Sequence, residues 1–150
     1  MKDAIAKPPT RRVKARKHAP KLGLSDAERK AFRRVRLVAA DLNGADPDQI
    51  AEATGLSLRR ATELCASATF QALDSVGPAA ARDLISLGLY DLDQLAAADP
   101  RALYLRLQRR TGGPLDPCVD DVFHCAVAQA RDPDLPAAAR DWWYWTQFRR

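Results

Sequence analysis

Apolar residues recur at helical spacing along most of this chain, and no segment shows the strict alternation of a half-buried strand. Ser25-Asp26-Ala27-Glu28 reads as a capping box, with Ser25 as N-cap and Glu28 at the third helical position. Phe32, Val35, Val38, Ala39 and Leu42 then fall on one face, and Arg29, Lys30, Arg33, Arg34 and Arg36 cover most of the rest. With Asn43-Gly44 as the stop, this predicts a helix over 26–42. Asp46-Pro47 starts the next helix and Gly55 stops it. Ser57 caps another that runs to about residue 67, followed by a short turn around 70–73. Pro78 opens a helix that ends near Leu87-Gly88. Further helices are expected near 91–98, 100–110, 117–130 and 135–147, with Asp99-Pro100 and Asp116-Pro117 as cap-then-proline starts. The expected fold class is all-α, a bundle of short helices that are unstable alone and gain stability by packing on one another.

Before Ser25 the pattern disappears. Pro8, Pro9, Pro20 and the run Arg11-Arg12-Val13-Lys14-Ala15-Arg16-Lys17-His18 predict a disordered basic arm over 1–24, since too little apolar surface is present to offset ordering entropy. The expected organisation is this arm followed by a helical domain over 25–150. Within that domain a tandem unit spans about 46–88 and a helical extension about 89–150.

The tandem unit is an internal repeat. When residues 50–64 are laid over 70–84, Ile50 meets Phe70, Ala53 meets Leu73, Gly55 meets Ser75 and Leu56 meets Val76. Ser57 then meets Gly77, Ala61 meets Ala81 and Leu64 meets Leu84. This is the helix-hairpin-helix pattern, ideally h-x-x-h-x-G-h-G-x-x-x-A-x-x-L. The small residues allow a tight hairpin and close approach of backbone to an anion. The first turn of the second helix presents unpaired N–H groups and a partial positive charge, so a phosphate oxygen is held there without reading a base. Each copy has one of the two expected glycines, Gly55 with Ser57 and Ser75 with Gly77. The first copy adds Arg59 and Arg60, whereas the second has Ala79 where a basic residue is common. Residues 50–64 also fit a loose helix-turn-helix template through Ala51, Gly55, Ala61 and Leu64, which would aim Arg59 and Arg60 at base edges.

Charge changes the picture next. The 150 residues carry a net +5, but the sign is divided along the chain. Residues 1–36 hold 13 basic and three acidic groups, and no lysine follows Lys30, so a strongly basic N-terminal region precedes a mildly acidic body. Such asymmetry points to a polyanion partner. Arg11, Arg12, Lys14, Arg16, Lys17 and Arg33 are the expected electrostatic contacts, with Gly55, Ser57, Arg59, Arg60, Ser75 and Gly77 at the hairpins. Three cysteines without a CxxC spacing fit a reducing cytoplasm. No apolar run is long enough for a membrane helix, and Lys7-Pro8-Pro9 interrupts before a signal-peptide core develops, so no membrane partner is expected.

From about Phe70 onward the sequence resembles the pathogenicity-locus family of small bacterial helix-hairpin-helix proteins, which includes mitomycin-resistance proteins. The matching pieces are FQALDSVGP from Phe70, DLISLG from Asp83, Asp99-Pro100 with LYLRL from Leu103, and Asp116 before Cys118. VFHCAV from Val122 and the closing Trp142-Trp143-Tyr144-Trp145 complete the match. The resemblance implies a helical protein whose hairpin motif suggests DNA binding, and it implies little chemistry. Ser75 departs from the glycine usual in that hairpin, and the basic arm lies outside the matching region.

No constellation for catalysis emerges. Asp116, Cys118, Asp120, Asp121, His124 and Cys125 are close in sequence, but no zinc-ligand spacing is met, and Cys125 and His124 diverge on a helix. Cys118 and Cys125 read as buried structural thiols and Asp120 with His124 as a solvated helix pair. Trp142 and Trp145 are expected to dock the last helix, leaving Trp143 or Tyr144 for solvent or for stacking on bases. The leading expectation is a non-enzymatic, cofactor-free, non-sequence-specific binder of duplex DNA. The alternatives are a protein-interaction adaptor tethered by its basic arm to nucleic acid or an acidic partner, and a binder of RNA or single strands.

Overall fold

The computed structural model describes residues 11–13 and 18–149, and among these every regular element is helical. Seven α-helices follow in order: α1 (Asp26–Arg34), α2 (Pro47–Thr54), α3 (Leu58–Gln71), α4 (Pro78–Ser86), α5 (Leu92–Ala97), α6 (Pro100–Thr111) and α7 (Pro117–Arg131). Three 3-10 segments accompany them, Ala39–Leu42, Ala137–Arg140 and Trp142–Phe148. No helix among the described residues is long and apolar enough to cross a membrane.

The caps form as the residues dictate. Ser25 and Glu28 close a reciprocal capping box, and Asp46, Ser57, Asp91, Asp99 and Asp116 each accept a first-turn N–H. Gly55 and Gly112 end α2 and α6 in the left-handed region.

Two apolar clusters share α3. Ala61, Leu64, Cys65 and Ala68 pack with Phe32, Leu37, Leu42 and Ile50 at one end. Ala66 and Phe70 pack with Leu84, Leu95, Leu103, Phe123 and Val127 at the other. The repeated positions are the plugs of these clusters: Ile50, Phe70, Ala61, Ala81 and Leu84 are fully buried and Leu64 nearly so. Ala at 61 and 81 lets α2 and α4 cross α3 closely.

The structure corrects the expected first helix. It stops at Arg34 rather than continuing to Leu42, because Arg36 adopts φ 56°. Arg36 N–H then donates to the Arg33 carbonyl and Leu37 N–H to the Phe32 carbonyl, which closes a Schellman turn. Leu37 is buried beneath it while Val38 is 54% exposed, so Val38 does not share the buried face of Phe32. The turn expected around 70–73 is partly helix, since α3 continues through Gln71. The expected helix over 135–147 is instead two 3-10 segments broken at Asp141.

Part of the stretch expected to be disordered has partners on the body. The Asn43 side chain donates to the Val13 carbonyl (2.6 Å) and accepts the Val13 N–H (3.3 Å). Gln71 pairs with the backbone of Lys21 in the same two-way manner, at 2.8 and 2.9 Å. Gln129 does so with Asp74 across the bundle, both bonds at 2.9 Å. These three buried amides each satisfy a peptide group that has left regular structure. The remainder of the expected arm, residues 1–10 and 14–17, lies outside the described residues.

Candidate nucleic-acid interface

Both hairpin turns adopt the same backbone path. Gly55 has φ 78° and its repeat mate Ser75 has φ 65°, so the first small position is left-handed in each copy. Glycine takes this conformation without strain, and Ser75 takes it because its side chain is held. Ser57 and Gly77 are both extended N-caps, of α3 and α4. Leu56 and Val76, between the small residues, turn inward to the two clusters.

The surroundings of the two turns differ. At the first, Gly55, Ser57 and Leu58 are exposed, and the Ser57 hydroxyl accepts the Arg60 N–H at 3.1 Å. The basic end of α1 lies beside this turn. Arg34 donates to the Thr54 carbonyl at 3.3 Å, one residue before Gly55. From the other side, Arg60 Nε donates to Glu28 Oε2 at 2.7 Å and its Nη2 to Oε1 at 3.1 Å. These contacts tie α1 to α2 and to the start of α3. Arg33 is exposed on the same helix, and the Arg59 side chain is 92% exposed, with Glu63 3.6 Å away. The first turn thus has the engaged guanidiniums of Arg34 and Arg60 beside it and the exposed Arg59 following it at the start of α3.

Arg60 is not among the free charges, contrary to expectation, because its guanidinium is spent on Glu28. That pairing, with the Ser25 N–H on the same carboxylate, holds the Glu28 carboxyl down at about 2 against an ordinary 4.5. The folded value lies below the unfolded one, so the stabilisation is complete above about pH 4.5 and is lost as the pH falls toward 2. Glu28→Gln is expected to cost about 1 kcal/mol at neutral pH once solvent screening is allowed for. Acid titration of the unfolding midpoint would show a shallower decline in the variant below pH 4.5.

At the second turn, Gly77, Pro78 and Ala79 are exposed, but no side chain caps α4, and its first basic residue is Arg82, more than a turn into the helix. Ser75 is occupied: its hydroxyl donates to the Arg140 carbonyl at 2.7 Å and accepts the Trp142 N–H at 3.0 Å. The segment over 140–142 therefore lies against this turn, and Ser75 is not open to a phosphate. Arg11 is likewise engaged, with Asp93 at 3.5 Å and with the Ala130 carbonyl. Arg12 is exposed, and Lys14, Arg16 and Lys17 lie outside the described residues.

The acidic and thiol groups of α7 serve the fold. Asp120 is buried and accepts Arg101 Nη1 at 3.0 Å; the expected pair with His124 forms, with His124 Nδ1 3.4 Å from Asp120 Oδ1, but its carboxylate is buried rather than solvated. His124 Nδ1 also lies 2.8 Å from the Asp120 carbonyl, and its ring stacks near Trp145. Asp121, 1% exposed, is held by Arg149 and by the Thr146 hydroxyl at 3.1 Å, which fastens the C-terminal segment to α7. Sequence reasoning missed the pairings of these carboxylates with Arg101 and Arg149, and only the two adjacent carboxylates on an apolar helix hinted at them. Burial pushes the Cys125 thiol up to about 11 and the Cys65 thiol up to about 12, so neither is poised as a nucleophile. Cys118 is half-buried rather than buried.

The pathogenicity locus family model matches residues 62–150, from the middle of α3 to the C-terminus. The mitomycin resistance protein McrB of Streptomyces lavendulae is 40% identical over 78 residues, covering 52% of this chain and 70% of that protein. No solved structure matches. The matched region contains the second hairpin turn, the buried carboxylates of α7 and the tryptophan segment, while the first turn and the basic helix precede it. On this match the chain belongs to the bacterial pathogenicity locus family.

Proposed function

We propose that this protein binds duplex DNA through the phosphate backbone, without sequence preference and without catalysis, in the cytoplasm of a bacterial cell. The observation that carries the reading is the fastening of basic helix α1 to the first hairpin turn through Arg34 and Thr54 and through Glu28 and Arg60. It brings α1, on which Arg33 is exposed, against a turn whose Gly55 and Ser57 are exposed next to the exposed Arg59. The first hairpin is the principal contact in this reading. Arg12, Lys14, Arg16 and Lys17 add electrostatic affinity, and the second turn contributes through Gly77 alone, since Ser75 is engaged.

Titration of the full chain with duplexes of unrelated sequence tests it. Similar affinities across sequences are expected, and Arg59→Glu should weaken all of them by about tenfold, the size of losing one phosphate contact and adding a repulsion. Failure to bind any duplex would leave the adaptor reading. That alternative is supported by the acidic body and by the C-terminal segment that lies against the second turn.

A further inference from the structure

The body is acidic overall, but one face of it is not. α6 carries Arg101, Arg106, Arg109 and Arg110 and no acidic residue. At helical spacing Arg106, Arg109 and Arg110 share one face, and all three are exposed. Arg106 Nη2 donates to the Leu87 carbonyl at 3.0 Å and Arg110 Nη1 to the Ser86 carbonyl at 2.6 Å, so this face lies against the C-terminal end of α4. Arg82 is exposed on α4, one turn before Ser86.

These guanidiniums differ from others in the molecule. Arg60, Arg101 and Arg149 each meet a carboxylate, of Glu28, Asp120 and Asp121, which cancels their charge. Arg106 and Arg110 meet neutral carbonyls instead, which occupies one nitrogen of each and leaves the charge uncancelled. Among the described residues, the side chains of Arg82 and Arg109 form no hydrogen bond or ion pair. Asp83, next to Arg82, is the acid of α4 and is half-buried. The fold gains a capped α4 from Arg106 and Arg110. It gains nothing from Arg109, which adds a like charge three residues from one and adjacent to the other. Such crowding is relieved by an anion with several charges.

Placement separates this face from the first hairpin. α6 belongs to the apolar cluster at one end of α3, whereas α1 and the first turn belong to the cluster at the other. The molecule therefore has two basic surfaces built on different clusters. Planar guanidiniums with free N–H pairs fit the oxygens of successive phosphates.

We propose that the arginine face of α6 and the end of α4 is a second surface for the phosphate backbone, so that one molecule holds two duplex segments together. The proposal rests on the DNA-binding reading, which assigns the first segment to the first hairpin turn. With fewer cations than that surface, and with Asp83 beside them, the second is the weaker and fills after it.

A capture experiment on the full chain tests it. An immobilised duplex is loaded with protein, washed, and offered a labelled duplex of unrelated sequence. Captured label should rise with the protein loaded and fall with salt. Arg82→Glu combined with Arg109→Glu should reduce capture about tenfold and leave the affinity for a single trace duplex within about twofold. Lysine at both positions should keep the capture. Glutamine at both should give a smaller loss of the same kind, so the test stands even where the glutamates disturb the fold. Retained protein that captures no second duplex, or capture that the glutamates do not change, would overturn this proposal alone. Equal losses of capture and of single-duplex affinity would place both surfaces on one duplex and overturn the bridging. Poly-glutamate that displaces the label at lower concentration than competing duplex does would assign the face to an acidic protein instead. No protein retained on the immobilised duplex would overturn the DNA reading and this proposal with it.

Discussion

Phe70→Ala is expected to lower the free energy of unfolding by about 3–5 kcal/mol, a large part of the total stability of a small domain. Phe70 is fully buried in the last turn of α3, among the residues that join the second hairpin to α5, α6 and α7. Truncation there removes the ring's transfer energy and leaves a hole that helices fastened by the Gln129–Asp74 amide pair cannot readily close. The consequence should reach the far end of the molecule, because α3 runs through both apolar clusters. All three tryptophans lie between Trp142 and Trp145, so indole emission reports the C-terminal end while far-ultraviolet dichroism reports every helix. In urea the two probes should give one coincident transition in the parent and in Phe70→Ala, shifted to lower denaturant in the variant. Ile50→Ala, at the matching position of the first cluster, should move the indole transition as well. Separate transitions would show that α3 does not couple the clusters, and a Phe70→Ala midpoint within about 1 kcal/mol of the parent would overturn the assignment of Phe70 as a plug.

The chain states its local rules openly and hides its long-range ones. Aspartate before proline at 46, 99 and 116 capped a helix each time, since the acceptor and the missing N–H both act within one turn. The repeat was equally legible, because Ile50 and Phe70, or Ala61 and Ala81, do the same packing in each copy. Two helix ends show where such reading fails. After α4, Gly88 takes φ 89° in a Schellman turn, with Leu89 N–H donating to the Leu84 carbonyl, and the glycine announces it. After α1 the same turn forms with Arg36 in the glycine's place, and nothing in the sequence marks the stop. Burial of Leu37 beside Phe32 supplies the energy that the side chain at 36 gives up. The end of the chain misled differently. Three residues per turn set Trp142 and Trp145 along one edge as well as an α-helix would, so aromatic spacing did not distinguish the two. At the candidate site, the matching of the two turns and the exposure of Arg59 were readable, whereas the loss of Arg60 to Glu28 and of Ser75 to the 140–142 segment depended on partners 32 or more residues away.

Affinity for duplex DNA should fall by about 250-fold between 50 and 200 mM monovalent salt. The figure follows from a count of the proposed phosphate contacts. Arg11 is held by Asp93 and the Ala130 carbonyl, and Arg60 by Glu28, so neither reaches a phosphate without breaking a contact. The expected contacts Arg12, Lys14, Arg16 and Lys17 of the N-terminal stretch are counted with Arg33 on α1 and Arg59 on α3. Six cations would give a log–log slope near −5, and incomplete contact brings it to about −4. The acidic body opposes binding, so attraction depends on these few groups, and the salt dependence should be steep for so small a protein. Replacing Arg33 and Arg59 together by glutamate removes two phosphate contacts and should make the slope shallower by about 2. The same variant should keep the parent's unfolding midpoint within about 1 kcal/mol, because both side chains are exposed. Fluorescence anisotropy of a labelled duplex across salt concentrations reads both quantities. A parent slope near −1, or a double variant whose slope matches the parent, would remove the first hairpin and α1 from the interface. A steep slope lost only in part by the variant would instead divide the contact between the first turn and the N-terminal stretch, each accountable by the number of counterions it releases.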